Sequence, residues 1–307
     1  MFKYILIGIT PVYYDLVHNF CTCCGIVLSA IVKNSATDPF VLSDSLSRLE
    51  KTKIDTIELY YPFEKTREMK SVISDHGIRN IVYPIAGVQK MKGFSLCDLN
   101  ERNRMNAIFL LLRAFETANE VGAKKVLITT GRDTDECDRE KALEQFMKSM
   151  ERLLPEAENF DVVLETGDRT VDARQLLGPT DLSIEVTEEI RKKYNNFYLT
   201  LDTSHIAQLG ENVEDSIEKA LRLSNHVHLA SCILTPGHPL YGDKHPFFSD
   251  PDGVLSDERL HNIFDYVVKR SEEEKRDILI GHEVIDRSGE RLGGLEKAIE
   301  ESPWFFL

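Results

Sequence analysis

The chain of 307 residues carries 37 Lys and Arg against 51 Asp and Glu, a formal charge of −14, with 42% hydrophobic residues. That is ordinary globular composition and excludes a disordered or fibrous chain. The acidic balance argues against a general nucleic-acid or anionic-membrane binder, because phosphate recognition needs a basic face. The longest apolar runs, Tyr4–Ile9 and Ile26–Val32, have the length of a strand and fall well short of the roughly 17–25 residues that span a bilayer. The start has a single Lys, a short apolar run and no A-x-A-like cleavage site, so no signal peptide is expected. Six Cys are too sparse for a disulfide scaffold. Cys21, Cys23 and Cys24 cluster without a second pair at zinc-finger spacing, and reduced thiols of a cytoplasmic protein are the expectation.

Along the chain, short β-branched runs alternate with longer amphipathic stretches. The runs are Ile26–Val32, Thr56–Leu59, Ile81–Ile85, Val126–Thr129, Val162–Leu164, Phe197–Leu201, His226–Leu229 and Ile278–Ile280. Each is nearly continuous in apolar residues, as parallel strands buried on both faces must be. Between them, Asp98-Leu-Asn-Glu101 reads as a capping box before Met105, Ile108, Leu112 and Phe115 at helical spacing. Ala142, Phe146, Met150 and Leu153 form a second stripe, stopped by Pro155. Asn212 caps a helix carrying Ile217, Ala220 and Leu221. Ser256 caps one whose apolar face includes Leu260, Ile263, Phe264, Val267 and Val268. Eight such units predict a (β/α)8 barrel or a doubly wound sheet. The absence of G-x-G-x-x-G after the first strand and of any P-loop disfavours the second. No Pro- or Ser-rich linker divides the chain, so 1–307 is expected to be one barrel domain. It would carry a short N-terminal extension, 1–24, and one long irregular active-site loop, 235–253.

Four successive runs each end in a ligand-type residue: Glu165, Asp202, His228 and Glu283. In a parallel barrel all four face the same carboxyl-end mouth. Three carboxylates and an imidazole in one pocket repel unless a cation neutralises them. Their oxygens and nitrogen suit Mn²⁺, Mg²⁺, Co²⁺ or Zn²⁺. Asp243 and His245, two apart in an extended segment, would point the same way and with His205 form a second N/O site. His226 is expected to face the helix layer. Glu58, at the end of the second run, lines the mouth or makes a structural ion pair.

At these residues the sequence resembles the xylose isomerase-like TIM-barrel superfamily of sugar isomerases, ketose epimerases and family 2 AP endonucleases. The resemblance rests on Leu-Glu-Thr-Gly at Glu165, Leu-Asp-Thr-Ser-His from Asp202 to His205, Val-His-Leu at His228, Asp-Lys-His at 243–245, and Glu283. It implies that Glu165, Asp202, His228 and Glu283 hold the principal metal. His205 would contact substrate or, with Asp243 and His245, a further metal. The endonuclease branch adds His at the ends of the third and fourth strands, where this chain has none at 83–87 or 128–132. The 3-epimerase branch has an acid and an Arg three and six residues after the metal-binding His; here these are Ser231 and Leu234. Homo-oligomers are common in the superfamily.

The expected function is therefore a divalent-metal-dependent isomerase or epimerase of a small carbohydrate, a sugar or sugar phosphate, acting by proton transfer through an enediolate. Glu165 and Glu283 would serve as acid and base, and His205 would steady the oxyanion. Dehydration of a polyol ketone uses the same proton abstraction. Lys244, Arg132 and Arg287 are candidate substrate contacts. Phe247 and Phe248 would help the 235–253 loop close as a lid. The alternatives are a two-metal phosphodiesterase or AP endonuclease-like hydrolase, and a catalytically silent ligand-binding barrel.

Overall fold

The computed structural model describes residues 23–60 and 63–307. Eight parallel strands close into a barrel in sequence order: β1 (Cys23–Val27), β2 (Ile54–Glu58), β3 (Asn80–Pro84), β4 (Lys125–Ile128), β5 (Asp161–Glu165), β6 (Phe197–Asp202), β7 (Ser224–Leu229) and β8 (Leu279–His282). The expected (β/α)8 architecture is therefore the observed one, with helices following the strands. Among the described residues no helix is long and apolar enough to cross a membrane.

The first strand differs from its sequence reading. It starts at Cys23 and stops at Val27, and Leu28–Ile31 turns into a short helix. A continuous apolar run cannot by itself distinguish a strand from a buried helical turn. Cys23 and Cys24 thus belong to β1 rather than to an N-terminal extension; Cys21 and the Tyr4–Ile9 run lie outside the described residues.

The helix ends follow local chemistry. Asn212 and Ser256 cap as expected, accepting from Asp215 N (2.9 Å) and Arg259 N (3.3 Å). The cap of helix Glu101–Val121 is Asn100, whose Oδ1 accepts from Arg102 N and Asn103 N; Asp98 accepts from Asn100 N one turn earlier. Glu101 does not reach back to close a capping box. It pairs instead with the buried Arg104 at 2.7 Å.

Two apolar layers result. Outward residues of the strands pack on the helices, with Phe146, Phe197, Phe305 and Phe306 fully buried there. Inside the barrel, a small cluster of Val82, Leu127, Val163 and Leu279 fills the lower level. Because side chains alternate along a strand, the next inward positions above that plug are two residues further on. They are Glu165 on β5 and Gly281 on β8.

Candidate metal centre

Strand register brings the ionisable residues together. Asp202 pairs with His228 across β6 and β7, and Thr200 pairs with His226 one step below. Glu165 stands beside Thr200, and His228 beside Gly281. Glu283 follows β8, its backbone N bonded to Leu229 O (3.0 Å). Glu165, Asp202, His228 and Glu283 each offer a ligand atom within 4.8 Å of the others. The focus is Nδ1 of His228, which lies 2.8 Å from Glu283 Oε2, 3.1 Å from Glu165 Oε1 and 3.8 Å from Asp202 Oδ2.

The opposite nitrogen of that ring is fixed from below. Nε2 of His228 and Nε2 of His226 lie 3.0 and 2.9 Å from the same oxygen, Oε1 of Glu58. A carboxylate only accepts, so both nitrogens donate to it. Nδ1 of His226 in turn faces the Thr200 hydroxyl (3.2 Å). Burial alone raises the proton affinity of Glu58, but the His226 and His228 imidazoles outweigh it and hold the carboxyl far below the usual glutamate range. The pKa of His226 itself is lowered, because burial outweighs the pull of Glu58. His226 therefore points into the barrel, contrary to the expectation that it faces the helices. Residues two apart on a strand share a face, and here that face has two occupied levels. Glu58 is fully buried at the base of the mouth, where it lines the cavity and accepts a hydrogen bond from each ring.

With Nε2 donating to Glu58, the Nδ1 edge of His228 must carry a positive charge or accept one. Burial opposes protonation, yet Glu58 and Glu283 hold the ring well above its ordinary value. Asp202 divides its oxygens. Oδ1 caps helix Thr203–Gln208 by accepting from Ser204 N (2.7 Å), His205 N (3.0 Å) and Ser204 Oγ (2.6 Å). Oδ2 is buried with no hydrogen-bond partner among the described residues, as is Oε2 of Glu283. Burial first, with Glu165 adding repulsion, raises the Glu283 carboxyl against the pull of His228 and His245. Three converging carboxylates, a ring whose Nε2 is committed to Glu58, and a buried Asp202 oxygen without a partner among the described residues are groups that could hold a divalent cation.

A second group adjoins it. His205 and His245 come within reach of Asp202, with ring centroids 5.8 Å apart. Asp243 lies 2.5 Å from His245 Nε2 and 3.9 Å from His205 Nε2. His245 is not in an extended segment: its φ is +40°, after a turn closed by Lys244 N to Gly242 O. The Asp243 contact is thus made by the turn and not by alternation along a strand. Burial opposes the His245 charge, but Glu283 and Asp243 push its pKa up to about 10.

These groups open into a cavity of about 950 Å³, lined also by Tyr60, Lys90, Phe94, Arg132 and Arg174. Of the basic candidates from sequence, Arg132 lines it. Lys244 turns to Asp172 (2.8 Å), and Arg287 borders a smaller neighbouring cavity with its Nη1 on Ile285 O (2.9 Å). Phe247 and Phe248 do not form a lid. Phe248 is buried against His282, with centroids 4.4 Å apart, and Phe247 sits under the Lys297 ammonium. Sequence reading overlooked Lys90, whose Nζ bridges Asp243 (3.2 Å) and Asp172 (3.8 Å). It also overlooked the buried Asp168, which folds the loop after β5 by accepting from Val171 N, Asp172 N and Ala173 N. The sole signal was the Gly-Asp pair directly after Glu-Thr, a turn former.

The sequence profile of the xylose isomerase-like TIM barrel matches residues 46–300. No curated protein sequence matches the chain. Among solved structures, D-psicose 3-epimerase from Clostridium cellulolyticum H10 superposes with a TM-score of 0.64 at 13% identity, covering 92% of this chain and 99% of that one. The 3-keto-D-glucoside 4-epimerase YcjR from E. coli gives 0.65 at 15%, covering 93% and 99%. An AP endonuclease of family 2 from Brucella melitensis gives 0.59 at 15%, covering 89% and 95%. At these identities the likeness establishes the fold.

Proposed function

Because the chain belongs to the xylose isomerase-like TIM-barrel family, we propose that it is a divalent-metal-dependent isomerase or epimerase of a sugar or sugar phosphate. The observation that carries this is the convergence of Glu165, Asp202, His228 and Glu283 on one point at the floor of a ligand-sized cavity. Epimerases with the same fold, acting on psicose and on a keto-glucoside, support the carbohydrate class. A cytoplasmic location accords with the sparse cysteines.

Glu165, Asp202, His228 and Glu283 would hold the cation, which supplies a Lewis acid for the negative charge that develops on a substrate carbonyl oxygen. The two glutamates approach His228 Nδ1 at 3.1 and 2.8 Å, so they flank the same point. One removes the proton beside the carbonyl and the other returns it. Burial keeps the proton affinity of Glu283 above that of a surface carboxylate, as a carbon base requires. His205, buried and positively biased by Asp202 and Asp243 against the cost of burial, donates to the oxyanion. Glu58 holds the His228 ring in orientation. Incubation with a panel of ketoses and ketose phosphates in D₂O tests the reading. Wild-type protein exchanges a carbon-bound proton of one substrate, Glu283→Gln does not, and retained exchange in the variant overturns the assignment.

The Asp202, His205 and His245 group favours a second reading, a two-metal phosphodiesterase. The ends of β3 and β4 bring no further His to the cavity, whose His residues are His205, His228 and His245. Incision of an abasic duplex, suppressed by EDTA, would support that reading.

A further inference from the structure

We propose that the β4–β5 side of the cavity is an anion subsite, in which Arg132 and Arg174 bind a phosphate ester or carboxylate carried by the substrate; this rests on the isomerase or epimerase reading and names its substrate class. The two arginines come from neighbouring segments stitched together. Arg132 bridges Gln175 in antiparallel fashion, and Asp133 N donates to Arg174 O at 2.6 Å. Both line the same cavity as the metal-type cluster.

Their charges are uncompensated in a chain whose net charge is −14. Asp133, the residue directly after Arg132, is already engaged. Arg139 grips it with Nε and Nη2 at 2.9–3.2 Å, and Arg169 Nε stands 3.5 Å away. Glu136 lies near the same two, Arg139 and Arg169. Arg139 and Arg169 thus occupy these two carboxylates, and Arg132 and Arg174, which line the cavity, have no ion pair within 4.0 Å among the described residues. The third cation of the wall, Lys90, is neutralised by Asp243 and Asp172 and is not available.

The subsite is also built in advance. Arg174 has φ +50°, a left-handed conformation that a non-glycine residue adopts only when its surroundings impose it. Asp168, fully buried, imposes it by collecting the backbone N–H groups of 171–173. Lys244 braces the same turn through Asp172. The preformed turn fixes the backbone from which Arg174 projects, and the planar fork of a guanidinium matches phosphate and carboxylate oxygens. The cavity volume of about 950 Å³ leaves room for such a group beyond a bare sugar.

The test is calorimetric binding to the full chain, with Mn²⁺ present, of a neutral ketopentose, its terminal phosphate and a sugar acid of equal length. Inorganic phosphate is titrated separately into EDTA-treated protein. The expectation is about tenfold or greater preference for an anionic ligand over the neutral sugar. Arg132→Gln/Arg174→Gln should abolish it with an unchanged melting temperature, and Arg132→Lys should reduce it in part. Preference for the phosphate assigns an ester, and preference for the acid assigns a carboxylate. Equal binding of all three ligands, or a preference that survives in the double variant, overturns the proposal. The inorganic phosphate arm separates the two readings. Phosphate bound by wild type and lost in the double variant supports the subsite even where no isomerisation is found, and phosphate that fails to bind counts against the subsite alone.

Discussion

Glu58→Gln is the most informative single substitution. Glu58 is nearly isosteric with glutamine and is fully buried at the base of the cavity, so the change alters the charge behind His228 with little change of shape. Its Oε1 accepts from Nε2 of His228 at 3.0 Å and of His226 at 2.9 Å, and its Oε2 is buried without a partner. With the amide oxygen at the Oε1 position, both bonds survive but lose their charge. Bonds to charged groups contribute about 1.5–3 kcal/mol and neutral ones about 0.5–1.5, so about 1 kcal/mol is lost at His228. The buried amide N–H₂ that replaces Oε2 costs more. With the amide reversed, two donors face two donors, and His228 is driven to put a proton on Nδ1, where the carboxylates converge. Either outcome weakens a cation site. Loss of a partner behind a metal-binding imidazole typically costs 10–100-fold in metal affinity, about 1.4–2.7 kcal/mol. Calorimetric titration of metal-stripped protein with Mn²⁺ measures it, and ¹⁵N chemical shifts of the His228 ring report the tautomer. Mn²⁺ affinity within about threefold of wild type, with an unchanged His228 tautomer in a folded variant, would refute the argument that Glu58 orients the ligand.

Two further substitutions examine the same architecture. A Cβ at Gly281 would stand 2.8 Å from Glu58 Oε1 and 3.0 Å from His228 Cδ2. Gly281→Ala should therefore displace both and lower Mn²⁺ affinity about tenfold, at an overpacking cost of about 1–3 kcal/mol in chemical denaturation; unaltered affinity would contradict the placement of the pair. His282, on the outer face of β8, packs against Phe248, Phe305 and Phe306 with Nδ1 unpartnered, and burial lowers its pKa from 6.5 to about 3. The unfolded chain takes up this proton as pH falls below 6.5, while the folded chain refuses it until about 3. Stability from this residue is thus complete above pH 6.5 and drains away as pH falls towards 3, with about 2 kcal/mol gone at pH 5. His282→Phe should remove that part of the acid sensitivity, read as the difference in unfolding free energy between pH 7 and pH 5; an equal pH dependence in the variant would show that His282 is not the group responsible.

The barrel and its principal cluster were legible for one reason. Parallel strands buried on both faces read as short apolar runs, and a charged or ligating residue at the end of a run has only the mouth to occupy. Glu165, Asp202, His228 and Glu283 each stand at such an end, so a one-dimensional pattern sufficed to bring them together. What lies one level deeper was not legible by that rule. His226 and Glu58 interrupt apolar runs, and an interruption does not say whether a side chain turns to the helices or into the barrel. The answer depends on register between strands distant in sequence: Val27 beside Glu58 on one side and Thr200 beside His226 on the other. The segments after the strands were less legible still. Lys90 takes its position from the last turn of the short helix Ala86–Lys92, Asp168 and Arg174 from the loop after β5, and Arg174 from a left-handed backbone that nothing in its residue type favours. Phe248 read as part of a lid because it follows a polar loop, yet its ring completes an aromatic cluster around His282 at the far end of the chain. Strand order thus accounts for where the proposed chemistry sits. On the proposal for Arg132 and Arg174, the loops after β4 and β5 would select what it acts on, and that division is why substrate class is argued from them rather than from the metal-type residues.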